Sequence, residues 1–479
     1  MVFWLLILPS LLYSGNPVPD WARLQKKQPT LRHAQWGLHA VYVDDGTPLL
    51  ELDADAALTP ASVFKLLTTA LALDKRGPDF RFETRLLYDG ALTADGVLNG
   101  NLIIWGGGDP TWGSDRIPGN PGLDSLMRGL YNSVYAAGIH KIHGDIRVNI
   151  SRFPEQRTPG NWNWMDIGNY YGAGAGALNI HDNLYHLWFR PGPIGRPARV
   201  LRTDPVLPDL IFENHMLTGA RGSGDQGYIY AAPGSQQAVL RGSIPAGRDF
   251  SIKGALPDPA RFAAQKLKET LIANGIAVSG GTGTSRQALP DNVRLLRRFH
   301  SPPLRTIIEV VHRRSFNLYA EATGKEAARA MGFPASDRGF ARALKAFLKE
   351  KKIDTEGLRA YDACGLSPDN SVTPRLMTSL LRLAARSPWF GDFYNTLSIA
   401  GNDSSGGFFK RWGRGTPLEN NARVKSGLIN GVRSLAGYMS TSGGRLIAFC
   451  FIANRANASS HTIDSLHKKL LLRLWQATD

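Results

Sequence analysis

Cysteine is nearly absent from this sequence. Cys364 and Cys450 are the two among 479 residues and lie far apart, so no disulfide framework and no paired-cysteine metal motif can be built. The 11 histidines are dispersed, without HExxH or a Cys/His zinc spacing, which removes the common zinc-hydrolase designs. No apolar run reaches the ~20 residues that cross a bilayer. Short repeats and low-complexity tracts are missing as well. The Gly106-Gly107-Gly108-Asp109-Pro110 stretch lacks the helix start of a dinucleotide fingerprint and reads as a tight turn. Neither a metal nor a cofactor is therefore expected.

What is present is an ordinary globular composition, with 43% hydrophobic and 20% charged residues, which excludes a disordered chain. The length exceeds the roughly 250–300 residues one core sustains, so several domains are expected. The net charge of +16 is spread along the chain, with small clusters at Arg294-Leu295-Leu296-Arg297-Arg298 and Lys349-Glu350-Lys351-Lys352. No nucleic-acid-binding motif accompanies them; the field favours loose association with an anionic wall polymer or lipid surface. Val2 to Tyr13 is apolar, interrupted by Pro9 and followed by Ser14-Gly15, which fits a secretory signal over residues 1–15 and implies export.

Alternation from Gly37 to Leu52 about Asp44-Asp45-Gly46 predicts a β-hairpin. Thr59-Pro60 then opens a helix from Ala61 to Lys75, closed by Gly77-Pro78. From Arg81 to Phe299 short strands and Gly/Pro turns dominate. Helices follow over Leu304–Met331, Asp337–Lys351 and Thr373–Ala385. Two strands, Arg433–Met439 and Arg445–Ala453, precede a last amphipathic helix, Thr462–Trp475. One α/β domain split by a large β-rich insertion is the simplest arrangement.

The chemistry starts at Ser62-Val63-Phe64-Lys65. On a helix, i and i+3 share a face about 5–6 Å apart. A serine hydroxyl becomes a good nucleophile when a neighbouring base takes its proton, and a neutral lysine is such a base. Burial and a second cation both favour the neutral amine. The helix N-terminus offers free N–H groups to a developing oxyanion. The spacing recurs at Ser465-Leu466-His467-Lys468, which reads as one face of the last helix. What distinguishes Ser62 is its company, in order: Ser315-Phe316-Asn317, then Lys425-Ser426-Gly427 ahead of the strand pair. Ser315 can relay a proton to a leaving amine, and Asn317 offers donor and acceptor to Lys65 and a substrate amide. Lys425 brings a second cation that attracts a terminal carboxylate, Ser426 adds a hydroxyl, and Gly427 admits a substrate backbone.

With these motifs the chain resembles the class C low-molecular-mass penicillin-binding proteins, the serine D-alanyl-D-alanine carboxypeptidase/endopeptidase family. The likeness runs from about Gly37 to Asn454. It includes Leu58-Thr59-Pro60-Ala61-Ser62, Gly168-Asn169-Tyr170-Tyr171-Gly172-Ala173-Gly174-Ala175, Asn317-Leu318-Tyr319-Ala320-Glu321, Leu397-Ser398-Ile399-Ala400-Gly401 and Ser434-Leu435-Ala436-Gly437-Tyr438. The resemblance implies an α/β penicillin-recognising serine transferase domain: an antiparallel five-stranded sheet flanked by helices, interrupted by two β-rich inserted domains. The expected division is 16–80 with 300–479 for the catalytic domain, 81–106 with 178–299 for the first insert, and 107–177 for the second. It further implies peptidoglycan stem peptides as substrates, β-lactams as acylating inhibitors, and a periplasmic or cell-envelope location. The oxyanion hole would be the backbone N–H groups of Ser62 and Leu428, and Asp166 would read the amine of the peptide's third residue.

Three positions depart from the family pattern. Asp362-Ala363-Cys364-Gly365-Leu366-Ser367-Pro368 stands where D-G-S-G-L-S-R is common. Pro368 thus removes an arginine suited to gripping a carboxylate bidentately, and Cys364 removes a hydroxyl. Leu428 replaces a frequent threonine. Alternatives on the same scaffold are a β-lactamase or esterase, for which the Y-x-N and omega-loop glutamate are lacking, and a non-catalytic wall-binding protein, against which Ser62, Lys65, Asn317 and Lys425 all stand intact.

Overall fold

The computed structural model describes residues 17–476 apart from 155 and 406, so the expected signal segment over 1–15 lies outside the described residues. The half of the chain that carries Ser62, Lys65 and Lys425 is built on one antiparallel sheet. Its strand order is Ser398–Ile399, Arg423–Ile429, Val432–Ser440, Leu446–Asn454, Gln35–Tyr42 and Pro48–Leu52. The expected five strands thus gain a sixth, the two-residue Ser398–Ile399, too short to show as alternation in the sequence.

Leu446–Asn454 is apolar almost throughout because both faces of the sheet are covered. With a side-chain period of two, Ala448, Cys450 and Ile452 face the core that holds the Lys65–Arg76 helix. Ile447, Phe449, Phe451 and Ala453 face the terminal helices, Val18–Lys26 and Ser460–Gln476. Every residue from Lys65 to Leu73 is buried, so Lys65–Arg76 is a central helix enclosed on all sides.

Two local departures from the expected helices matter for the site. The helix expected over Ala61–Lys75 begins with a tight 3-10 turn, Ala61–Phe64, before the α-helix starts at Lys65. The single helix expected over Leu304–Met331 is two, Leu304–Arg313 and Asn317–Ala330. Ser315 between them has φ 54°, a left-handed conformation that ends one helix and re-aims the next.

The insertion departs from its expected division. Strand Ile146–Asn149, from the segment 107–177 expected to stand alone, pairs in parallel with Leu102–Trp105 on one side and Thr282–Ser285 on the other. The resulting five-stranded sheet is completed by Glu83–Tyr88 and Arg294–His300. Residues of 184–255 form two further sheets, one of three strands and one of four. Strand pairing decides this grouping, and short alternating runs do not reveal their partners.

Candidate active site

The chain enters the Ser62 turn clamped to the sheet. Asn454 Oδ1 accepts from Thr59 N at 2.9 Å, and its Nδ2 donates to Thr59 O at 3.0 Å. Ser434 Oγ donates to Pro60 O, and Ala61 takes φ 49°. These contacts set Ser62 at the first turn, where backbone N–H groups precede any intrahelical acceptor.

Lys65 is fully buried, and its Nζ has three partners: Ser62 Oγ at 2.9 Å, Asn317 Oδ1 at 2.8 Å and Cys364 O at 2.6 Å. The last two are carbonyl oxygens, which only accept. They take two N–H bonds and leave the third direction facing the serine hydroxyl. In the neutral amine that direction holds the lone pair. Burial holds Lys65 below the usual lysine range, against the pull of Cys364, Asp362 and Glu321. Of the two causes expected from sequence, burial is the one that lowers Lys65; the second-cation effect falls instead on Lys425. Among the described residues no carboxylate forms an ion pair with Lys65.

Asn317 cannot flip without loss. Its Nδ2 donates to Tyr171 O at 2.7 Å, which points Oδ1 at Lys65. Ser315 Oγ lies 3.0 Å from Lys425 Nζ, and Lys425 also donates to Ser426 O at 2.6 Å. Burial, then the neighbouring Lys65 and Arg433, push Lys425 well below the ordinary lysine range. His312, which no sequence motif singled out, packs nearby; its buried ring bridges Thr69 Oγ1 at 2.9 Å and Thr396 Oγ1 at 2.8 Å. Burial and the two lysines keep it neutral.

The strand Arg423–Ile429 forms one wall. Ser398–Ile399 covers its outer edge only at Arg423 and Val424, so from Lys425 to Ile429 that edge has no partner strand among the described residues. Ser426 and Leu428 share a face by strand alternation, and Leu428 is 57% exposed. Gly427 packs against the nucleophile turn: a Cβ there would lie 2.8 Å from Ser62 N and 2.8 Å from Pro60 O.

A loop closes the other side. Asp362 Oδ1 accepts from Gly365 N and Asn370 Nδ2, both at 2.7 Å; Oδ2 accepts from Ser367 N at 2.6 Å and Trp162 Nε1 at 2.8 Å. Glu321 Oε1 accepts from Ala363 N at 2.8 Å. This lattice aims the Cys364 carbonyl at Lys65. Glu321, Asp362 and Cys364 cluster closely, but N–H donors already engage both Asp362 oxygens and Glu321 Oε1, so the group holds a loop rather than offering an open ligand set.

The structure thus brings Ser62, Lys65, Ser315, Asn317, Lys425 and Gly427 into one cleft, with Ser426 and Leu428 on its wall. Asp166 sits on the short helix Trp164–Ile167, bonded to Asn163 and Tyr171, with burial raising its carboxyl. Its partner Tyr171 links it to the cleft, since the Tyr171 carbonyl holds Asn317. Sequence reasoning missed the carbonyls of Cys364 and Tyr171, because a backbone acceptor leaves no mark on residue type.

The pattern of the D-Ala-D-Ala carboxypeptidase 3 (S13) family matches residues 22–472. The chain is 29% identical to the D-alanyl-D-alanine carboxypeptidase of Actinomadura sp. (strain R39), over 94% of this chain and 85% of that protein. It is 27% identical to the D-alanyl-D-alanine carboxypeptidase DacB of Haemophilus influenzae, over 82% of this chain and 79% of that one. Among solved structures, penicillin binding protein 4 from Haemophilus influenzae superposes with a TM-score of 0.81 at 23% identity, covering 95% of this chain and 99% of that chain. The same protein complexed with a β-lactam gives 0.77 at 22% identity, with 96% and 100% covered. These likenesses show a shared fold.

Proposed function

Because this chain belongs to the D-Ala-D-Ala carboxypeptidase 3 (S13) family, we propose that its cleft hydrolyses peptidoglycan stem peptides as a serine D-alanyl-D-alanine carboxypeptidase/endopeptidase. One observation carries the assignment of roles: Lys65 Nζ is buried, held by two carbonyl acceptors, and directed at Ser62 Oγ 2.9 Å away. Neutral Lys65 takes the hydroxyl proton as Oγ attacks the penultimate D-alanine carbonyl. The N–H groups of Ser62 and Leu428 stabilise the oxyanion. Lys425 and Ser315 pass a proton to the leaving amine, the terminal residue departs, and water hydrolyses the acyl-enzyme. The substrate backbone lies along the open edge from Lys425 to Ile429, as an added strand. Ser426 and Lys425 receive its carboxylate, and Asp166 receives the side-chain amine of the third residue.

The same chemistry acylates Ser62 with a β-lactam. An exported, periplasmic or cell-envelope protein fits this substrate, and the +16 net charge favours loose attraction to anionic wall or lipid. The test is intact-mass analysis after benzylpenicillin, followed by a pentapeptide ending in D-Ala-D-Ala. A persistent adduct on Ser62 with D-alanine release supports the reading. Rapid penicillin turnover identifies a β-lactamase, and neither reaction a binding protein.

A further inference from the structure

We infer that Asp182 and Arg116, both contributed by the insertion, are positioning residues for Ser315 and Asn317, acting through Phe316 and Tyr319. The inference rests on the serine acyl-transfer reading above.

Ser315 and Asn317 flank Phe316, so the seat of that ring sets both. Ser315 is left-handed at φ 54°, a conformation that persists only where the surroundings over-determine it. The surroundings are specific. The Arg116 guanidinium lies 4.1 Å from the centre of the buried Phe316 ring, and the Tyr319 ring meets it edge-on at 5.0 Å. Asp182 ties these two supports together. Its Oδ2 accepts from Arg116 Nη2 at 2.8 Å and Nε at 3.0 Å, while Oδ1 lies 3.0 Å from the Tyr319 hydroxyl. Ser114 Oγ stands 3.0 Å from the same hydroxyl. One carboxylate therefore joins the cation above Phe316 to the ring beside it.

The backbone that presents Asp182 is itself unfavourable. His181, Asp182 and Asn183 have φ 52°, 57° and 49°, three consecutive left-handed residues without a glycine. Asn183 holds the turn: Oδ1 accepts from Ile180 N at 2.9 Å, and Nδ2 donates to Asn179 Oδ1 at 3.0 Å and Gly174 O at 3.1 Å. A strained turn kept by side-chain bonds, with its central residue reaching the catalytic segment, points to placement of that segment. The distances at stake are Asn317 Oδ1 to Lys65 Nζ, 2.8 Å, and Ser315 Oγ to Lys425 Nζ, 3.0 Å.

The test compares Tyr319→Phe, Asp182→Asn, their double variant, Arg116→Met and Arg116→Lys in the full chain. Benzylpenicillin acylation of Ser62 is followed so that pre-covalent binding and the acylation constant separate, with melting temperature measured beside them. The acylation constant is expected to fall about 10- to 100-fold in Tyr319→Phe and Asp182→Asn, with pre-covalent binding within about 3-fold. The double variant should be no slower than the slower single, and Arg116→Lys should recover much of what Arg116→Met loses. Variants that melt like wild type and acylate at its rate overturn the inference, as does a loss confined to binding. If Asp182→Asn fails to fold, Tyr319→Phe, which removes one oxygen, decides alone. A wild-type chain that forms no adduct refutes the acyl-transfer reading itself, whereas a wild-type adduct with unaltered variants refutes only the positioning.

Discussion

Lys425 Nζ lies 3.0 Å from Ser315 Oγ, although 110 positions separate the two residues. Both sit between the strand wall and the break in the helices, and burial with Lys65 opposes charge on Lys425. A lysine so placed exchanges a proton with the hydroxyl at moderate pH. Ser315→Ala should therefore lower turnover of a D-Ala-D-Ala peptide about 10²- to 10⁴-fold, while the chain still melts as wild type. Steady-state kinetics on the pentapeptide check this.

Lys65→Arg puts a permanent cation where the neutral base stands, since a guanidinium stays charged throughout the working pH range. No Ser62 adduct should form on the wild-type timescale at any pH between about 6 and 9. In the wild type the acylation constant should rise with pH as Lys65 deprotonates, with a midpoint below 10.5 because burial disfavours the ammonium. A pH profile of acylation reads both.

Gly427→Ala places a methyl against Ser434 Oγ and, at 2.8 Å, against Ser62 N and Pro60 O. Backbone atoms on one side leave little room to yield. Acylation should fall about 10²-fold through displacement of the nucleophile turn, with only a modest loss of stability by thermal melting.

Asp166→Asn removes a carboxylate that burial already makes reluctant to ionise. For a stem peptide with a free amine on its third residue, KM should rise about 10-fold. For the N-acetylated peptide it should change little. Equal effects on the two peptides would refute the assigned role.

Glu321 is pushed up to about 8 by burial and by repulsion from Asp362 and Asp337. Its folded form holds a proton that the unfolded chain releases near its ordinary 4.5, so stability contributed by this group is full below that pH and is lost as pH rises through about 8. Glu321→Gln should flatten this decline. Chemical denaturation at a series of pH values between those limits measures it.

Much of the site was legible because its chemistry is written in side chains. Ser62 and Lys65 stand three apart on one helical turn, and Ser315, Asn317 and Lys425 follow in a fixed order. The hairpin announced itself by a period of two, and the paired strands near the C-terminus by short, largely apolar runs on either side of a turn. The two-residue strand Ser398–Ile399, the break at Ser315 and the grouping of strands in the insertion did not, because each depends on partners distant along the chain.

Residue types alone say which groups can react: two hydroxyls, two amines and an amide, each an intrinsic property of its residue. Their state and aim come from packing between distant parts of the chain. Removal from water makes Lys65 a base, the carbonyls of Cys364 and Asn317 turn its free direction toward Ser62, and the insertion's Arg116 and Asp182 brace the ring between Ser315 and Asn317. Burial and backbone acceptors are properties of the packed whole, so no single position in the chain encodes them.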